Sequence, residues 1–145
     1  MRSDTWDALE AQFSKHPIMR AESVGTEEFD EAVVGLGFGV SDDFREFVLR
    51  YGGALVGPYP IFGLRQADAM GDDEGSFLEI TRRFRDEGWR GVDRWIIVSV
   101  DHAGNPIGMS EDGQIWCSDH DAREIIRVAF SFEEYLRSRC LGLSV

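Results

Sequence analysis

Apolar residues recur at helical spacing through the first third of the chain. Phe29, Ala32, Val33 and Leu36 fall at i, i+3, i+4 and i+7, with Thr26 ahead of them as a cap and Gly37 behind as a stop. Phe44, Phe47, Val48 and Tyr51 repeat the spacing between Ser41 and the pair Gly52-Gly53. This spacing puts four apolar side chains on one face, so two short amphipathic helices are predicted back to back. The linker Gly37-Phe38-Gly39-Val40 is too short to let them separate. Upstream, Trp6, Leu9 and Phe13 share one face of a helix predicted over 4–13, and Pro17 ends it.

The period then changes. An apolar run broken by Pro58 and Pro60 predicts a first strand near 60–64, of edge type because proline cannot donate to a ladder. Residues 71–75 form an acidic loop, and Ser76 with Glu79 matches a capping box. The helix it opens buries Phe77, Ile80, Thr81 and Phe84 and stops at Gly88. Four strands are predicted next, over 95–100, 106–110, 114–117 and 124–130. The dipeptide Asp112-Gly113 between apolar runs marks a hairpin. Ser131 and Glu134 cap a last helix with Phe132, Tyr135, Leu136 and Cys140 inward. This order predicts an α+β fold: an antiparallel β-meander sheet packed with about four to five short helices on one face or end.

Length and composition bound the rest. A chain of 145 residues is expected to form one domain, 1–145, and to bury ~68–70% of its unfolded surface, enough to need no staples. Two cysteines, Cys117 and Cys140, make no disulfide framework, so a reduced, cytoplasmic protein is expected. Residues 1–12 carry no apolar segment of secretory type, and no run approaches the ~20 apolar residues of a membrane span. Asp and Glu number 27 against 15 Lys and Arg, a formal net charge of −12. That balance disfavours nucleic acid, whose binding neutralises phosphates, and favours steering of a basic partner.

Candidate chemistry is thin. Cys117, Asp119, His120 and Asp121 have the ligand types of a zinc site, but no second ligand pair stands at a distance, so no metal and no cofactor is expected. A nucleophilic pair drawn from Cys117 or Cys140 with His102 or His120 would need a lowered thiol pKa and an orienting third group. Cys140 falls on a core face instead. Asp101 to Asp112 fails the register of a calcium loop, and the glycines of 35–39 follow a helix, not the strand a dinucleotide fingerprint requires. Arg82, Arg83 and Arg85 do not share one narrow helix face and read as a solvated surface.

The acidic positions offer more. Asp72, Asp73 and Glu74 form one run. Glu111, Asp112, Asp119 and Asp121 sit at the ends of neighbouring meander strands and could share a rim, with Trp116 on the strand between them. Large aromatics on meander strands usually face the core, which is the first expectation for Trp116. Exposed instead, it would join these acids as an anchor for a basic protein.

Several of these pieces, in this order, resemble the SUKH superfamily, the Smi/Knr-like domain. The resemblance is carried by Leu36-Gly37, Ser41-Asp42-Asp43-Phe44, Phe47-Val48-Leu49 and Tyr51-Gly52-Gly53, then by the strand–hairpin–strand stretch of 95–121. It covers 26–141. Val40-Ser41 stands where the family commonly has a Leu-Pro pair, and either residue type starts a helix. The resemblance implies a non-enzymatic bacterial immunity protein, which neutralises a cognate toxin domain, often a nuclease, by direct binding. The rival readings are a regulatory or scaffolding domain and a small cysteine-dependent hydrolase.

Overall fold

A computed structural model describes residues 1–37, 39–71 and 75–145. Among these residues, five α-helical segments and two antiparallel sheets follow one another. Helices α1 (Ser3–Lys15), α2 (Thr26–Val34) and α3 (Asp42–Tyr51) lead into a hairpin of β1 (Ala54–Val56) and β2 (Tyr59–Ile61). Helix α4 (Phe77–Asp86) precedes the meander β3 (Trp95–Val100), β4 (Pro106–Ser110), β5 (Ile115–Asp119) and β6 (Glu124–Ala129), paired in that order. Helix α5 (Phe132–Tyr135) runs on as a wide turn through Leu136–Cys140, closed by Leu141 N–H donating to Leu136 O at 2.8 Å. The α+β prediction therefore holds, with the meander as its sheet.

The core is aromatic and centred on α3. Phe44, Phe47, Val48 and Tyr51 are fully buried, as their spacing requires. Phe44 meets Phe77 of α4 and Phe132 of α5 edge to face, at 5.4 and 5.2 Å between ring centres. Tyr51 meets Phe13 of α1 at 4.7 Å. Edge-to-face pairs at these separations match the quadrupoles of the rings. Thus one helix face ties α1, α4 and α5 together. Helix α4 carries the predicted capping box, and Phe77, Ile80, Thr81 and Phe84 are buried. Thr81 then serves the sheet: its Oγ1 accepts the Ile97 N–H at 2.8 Å.

Five local expectations need correction. Helix α2 is capped at Gly25, and Thr26 is its first helical residue. Of its apolar stripe only Phe29 is fully buried, while Leu36 lies beyond the helix in the turn. The strand expected near 60–64 is β2, over Tyr59–Ile61, and it pairs with β1, whose three residues the periodicity missed. Strand β5 runs two residues past its expected end. Arg85 is not simply solvated: its guanidinium donates to the carbonyls of Val92 (3.3 Å) and Trp95 (2.8 Å), holding the 92–95 segment against α4.

The hairpin closes one edge of the large sheet, because Phe62 N–H donates to Val98 O at 2.8 Å. It is held in place by a backbone crossing. Arg65 N–H donates to Gly52 O (3.0 Å), and Phe77 N–H to Gly63 O (2.9 Å). Gly52, at φ +75°, provides the left-handed turn that ends α3.

Candidate functional site

The meander places β5 with alternating faces. Ile115 and Cys117 point into the core, so Trp116 points to the other side. Register puts Ile97, Gly108, Trp116 and Arg127 in one row across the four strands. Gly108 matters here, since a β-carbon on it would lie 2.7 Å from the Trp95 side chain. The missing side chain lets Trp95 lie flat on the sheet. Gly91 does the same from above: a β-carbon there would meet Ile125 Cδ1 at 2.7 Å. The result is an open groove of about 770 Å³ with Trp95, Trp116 and Ile125 as its apolar floor. Asp93, Arg94, Glu111 and Asp112 stand around it.

Trp116 is half-buried, not sealed in the core. Its indole N–H donates to Ser110 Oγ at 3.0 Å, and Ser110 Oγ donates in turn to Asp112 Oδ1. Asp112 also accepts from Gln114 Nε2 at 2.7 Å. The Ser110 hydroxyl, then the Gln114 backbone N–H, hold the Asp112 carboxyl below the usual carboxylate range. Asp112 is therefore charged at neutral pH, and the Ser110 hydroxyl links the Trp116 indole to it.

The predicted rim divides in two. Glu111 and Asp112 are at the β4–β5 turn and border the groove. Asp119 ends β5 and Asp121 lies in the β5–β6 turn, at the opposite end of that strand. Five residues at ~3.3 Å each separate the pairs by roughly 16 Å, so they do not share one rim. Asp119 instead borders a recess of about 220 Å³ on the other sheet face, beside Ile107, Cys117, Ile126 and Tyr135. Asp72, Asp73 and Glu74 lie outside the described residues. Trp95, Ile125 and Asp93 were missed in the sequence. The alternation around Trp116 could have revealed its face, but the Trp95–Gly108 fit depends on register.

The candidate nucleophiles do not assemble. Cys117 Sγ points to Asp101 Oδ2 (3.8 Å), whereas the His120 ring packs on Trp89 at 5.2 Å. His102 stacks on Tyr59 at 4.9 Å. Burial first, then the Asp101 and Asp119 carboxylates, pushes the Cys117 thiol up to about 12. Burial pushes Cys140 up to about 12 as well. Since the thiolate is the reactive form, alkylation of both by iodoacetamide at pH 7.5 should be slower in the folded protein than in urea by a factor on the order of a thousand. Peptide mass mapping checks this, and rapid labelling of native Cys117 would contradict it. Asp101 accepts from the Ala103 and Asn105 amides, both at 2.9 Å, and so shapes the β3–β4 turn. Among the described residues no three His, Cys, Asp or Glu side chains are grouped to hold a metal ion. Nor is any helix there long and apolar enough to cross a membrane.

Comparison with known families decides the wider kinship. Residues 24–138, from just before α2 into the last helical turns, match the model of the SMI1 / KNR4 family (SUKH-1). The chain belongs to that family. No curated protein matches it. The SUKH-1 match takes in the whole meander and both turns that carry acids, so the groove lies on the family's own scaffold and not on an added element.

Proposed function

We propose that this SUKH-1 protein is a non-enzymatic binding protein of the immunity type, which neutralises a basic bacterial toxin domain in the cytoplasm by direct association. The observation that carries the reading is the groove: an indole held half-exposed by the Ser110–Asp112 relay, on an apolar floor, in a chain of net charge −12. Binding surfaces concentrate their energy in such aromatic anchors, ringed by polar groups that exclude water. A cationic side chain can lay its aliphatic stem on Trp95 and Ile125, with its charge over the Trp116 ring and beside Glu111 and Asp112. Long-range charge then speeds encounter, and the anchor slows departure. The neutral thiols and the separation of Cys117 from His120 support a role without chemistry.

The test is binding, and rescue on co-expression, with the protein encoded by the neighbouring gene. Trp116→Ala should speed dissociation at least about thirtyfold, the loss expected of a central anchor. Reversing Glu111 and Asp112 to Lys should cut the association rate by about tenfold at low salt and much less at 0.5 M salt. Asp119→Lys with Asp121→Lys, at the far end of β5, should slow association less. If the neighbouring product neither binds nor is neutralised, the immunity reading fails. Binding that ignores Trp116 and salt would keep the immunity reading and remove the groove from it.

A further inference from the structure

The large sheet has one covered edge and one bare edge. On the β3 side, Thr81 and Phe62 take up outward backbone groups of Ile97 and Val98. On the β6 side nothing does so among the described residues, and β6 pairs with β5 alone. Which groups it leaves free follows from the register. Ser110 N–H donates to Gln114 O at 3.0 Å, so the Ser110 backbone faces β5. By alternation Gly108 and its partner Trp116 face each other, which turns Cys117 toward β6. Cys117 is paired with Ile126, so the Ile126 backbone faces inward, while Ile125 and Arg127 direct their N–H and C=O groups outward. Beyond them the edge closes, because Phe130 N–H is taken by Glu134 Oε2 at 2.6 Å.

We infer that β6 is a docking edge, which captures an extended basic segment of the partner as a fifth strand. The inference rests on the binding function proposed above. An added strand alternates its side chains between the two faces of the sheet. Both faces offer a hollow beside β6. Ile125 borders the Trp95–Trp116 groove on one, and Ile126 borders the Ile107–Cys117–Tyr135 recess on the other. Carboxylates outnumber cations at each: Asp93, Glu111 and Asp112 against Arg94 at the groove, Asp101 and Asp119 against Arg139 at the recess. The segment that fits presents long cationic side chains to both faces, each laying its apolar stem on the hollow and its charge beside the carboxylates. Charge argues against a second copy of this chain at the same edge, since each copy carries −12. The strand exposes Ile125 and Ile126, each 42%, and has no proline; its guards are the charged Glu124 and Arg127 and a bulge near its C-terminal end.

Amide hydrogen exchange on the complex with the neighbouring gene's product tests the edge apart from the binding function. Protection of the Ile125 and Arg127 amides should rise tenfold or more on binding, as expected when free N–H groups enter a ladder. Arg127→Pro removes one outward donor and no ladder bond, and should weaken binding about fivefold beyond Arg127→Ala, the worth of one hydrogen bond. Should Arg127→Pro not fold, exchange on the native chain decides. A complex in which both amides exchange at their free rate overturns the docking edge and leaves the binding function standing. Protection that appears in the free protein as its concentration rises gives the edge to a second copy and overturns the inference. Absence of any complex removes the binding function and the inference with it.

Discussion

Replacing Phe44 with alanine should lower the unfolding free energy by about 3–5 kcal/mol, the range for deleting a buried ring. Phe44 is fully buried, and its ring contacts come from three separate helices: Phe29 at 6.5 Å, Phe77 at 5.4 Å and Phe132 at 5.2 Å. These neighbours sit on α2, α4 and α5, so none can move into the space without dragging its own helix off the sheet. Collapse of the cavity is therefore small, which puts the cost at the upper part of the range. A domain is stable by only ~5–15 kcal/mol, so the variant should be partly unfolded at growth temperature. Val34, 79% exposed on α2, is the control, and its replacement by alanine should change stability by less than ~0.5 kcal/mol. Urea titration monitored by circular dichroism measures both. A Phe44→Ala loss below ~1 kcal/mol would show that the aromatic cluster is not the centre of the core.

Gly63→Ala should cost about 3 kcal/mol or more, at the top of the range for forcing an atom into a packed site. A β-carbon on Gly63 would overlap the Gly52 carbonyl oxygen and lie 3.1 Å from Gly53 Cα. Everything it meets is backbone. No side chain can swing away, and the backbone is pinned by the Arg65–Gly52 and Phe77–Gly63 hydrogen bonds. Relief would require the β1–β2 hairpin to lift from the end of α3, taking Phe62 from Val98. Among the described residues, chain neighbours aside, Gly39 has no atom within 4 Å of such a β-carbon, so Gly39→Ala should be neutral or slightly stabilising. Thermal unfolding of the two variants separates crowding from any general effect of losing a glycine. Equal melting temperatures would refute the crossing as a packing constraint.

What the sequence revealed depended on how local its determinants are. The capping box at Ser76 and Glu79 and the four-residue apolar face behind it specify α4 by themselves, and the helix begins and buries as they say. Strands β3 and β4 match their predicted bounds because β-branched runs and the Asp112-Gly113 turn are local signals. Strand β1 is different. Three residues after a glycine pair carry no period, and they become a strand only by pairing with β2. The stripe of α2 was visible, yet whether Val33 or Leu36 is buried depends on what lies opposite, which the stripe does not encode. The groove shows the same division. Trp116 and its neighbouring acids stand out in the sequence. Grouping Asp119 and Asp121 with Glu111 and Asp112 failed because successive turns of a meander fall at opposite ends of the sheet. Trp95 could not be added, since only register brings it over Gly108.

The relay from Trp116 through Ser110 to Asp112 uncouples two evolutionary demands. The ring is hydrogen-bonded through its N–H in the free protein, so the proposed docking would require little further loss of rotamer entropy there. Glu111, at the tip of the same turn, is exposed and takes no part in the relay. If the groove binds as proposed, substitutions at that tip would retune which cationic surface is accepted or repelled without disturbing Trp116. On the proposed immunity function, discrimination between toxins would be redrawn one turn residue at a time, with the indole left in place.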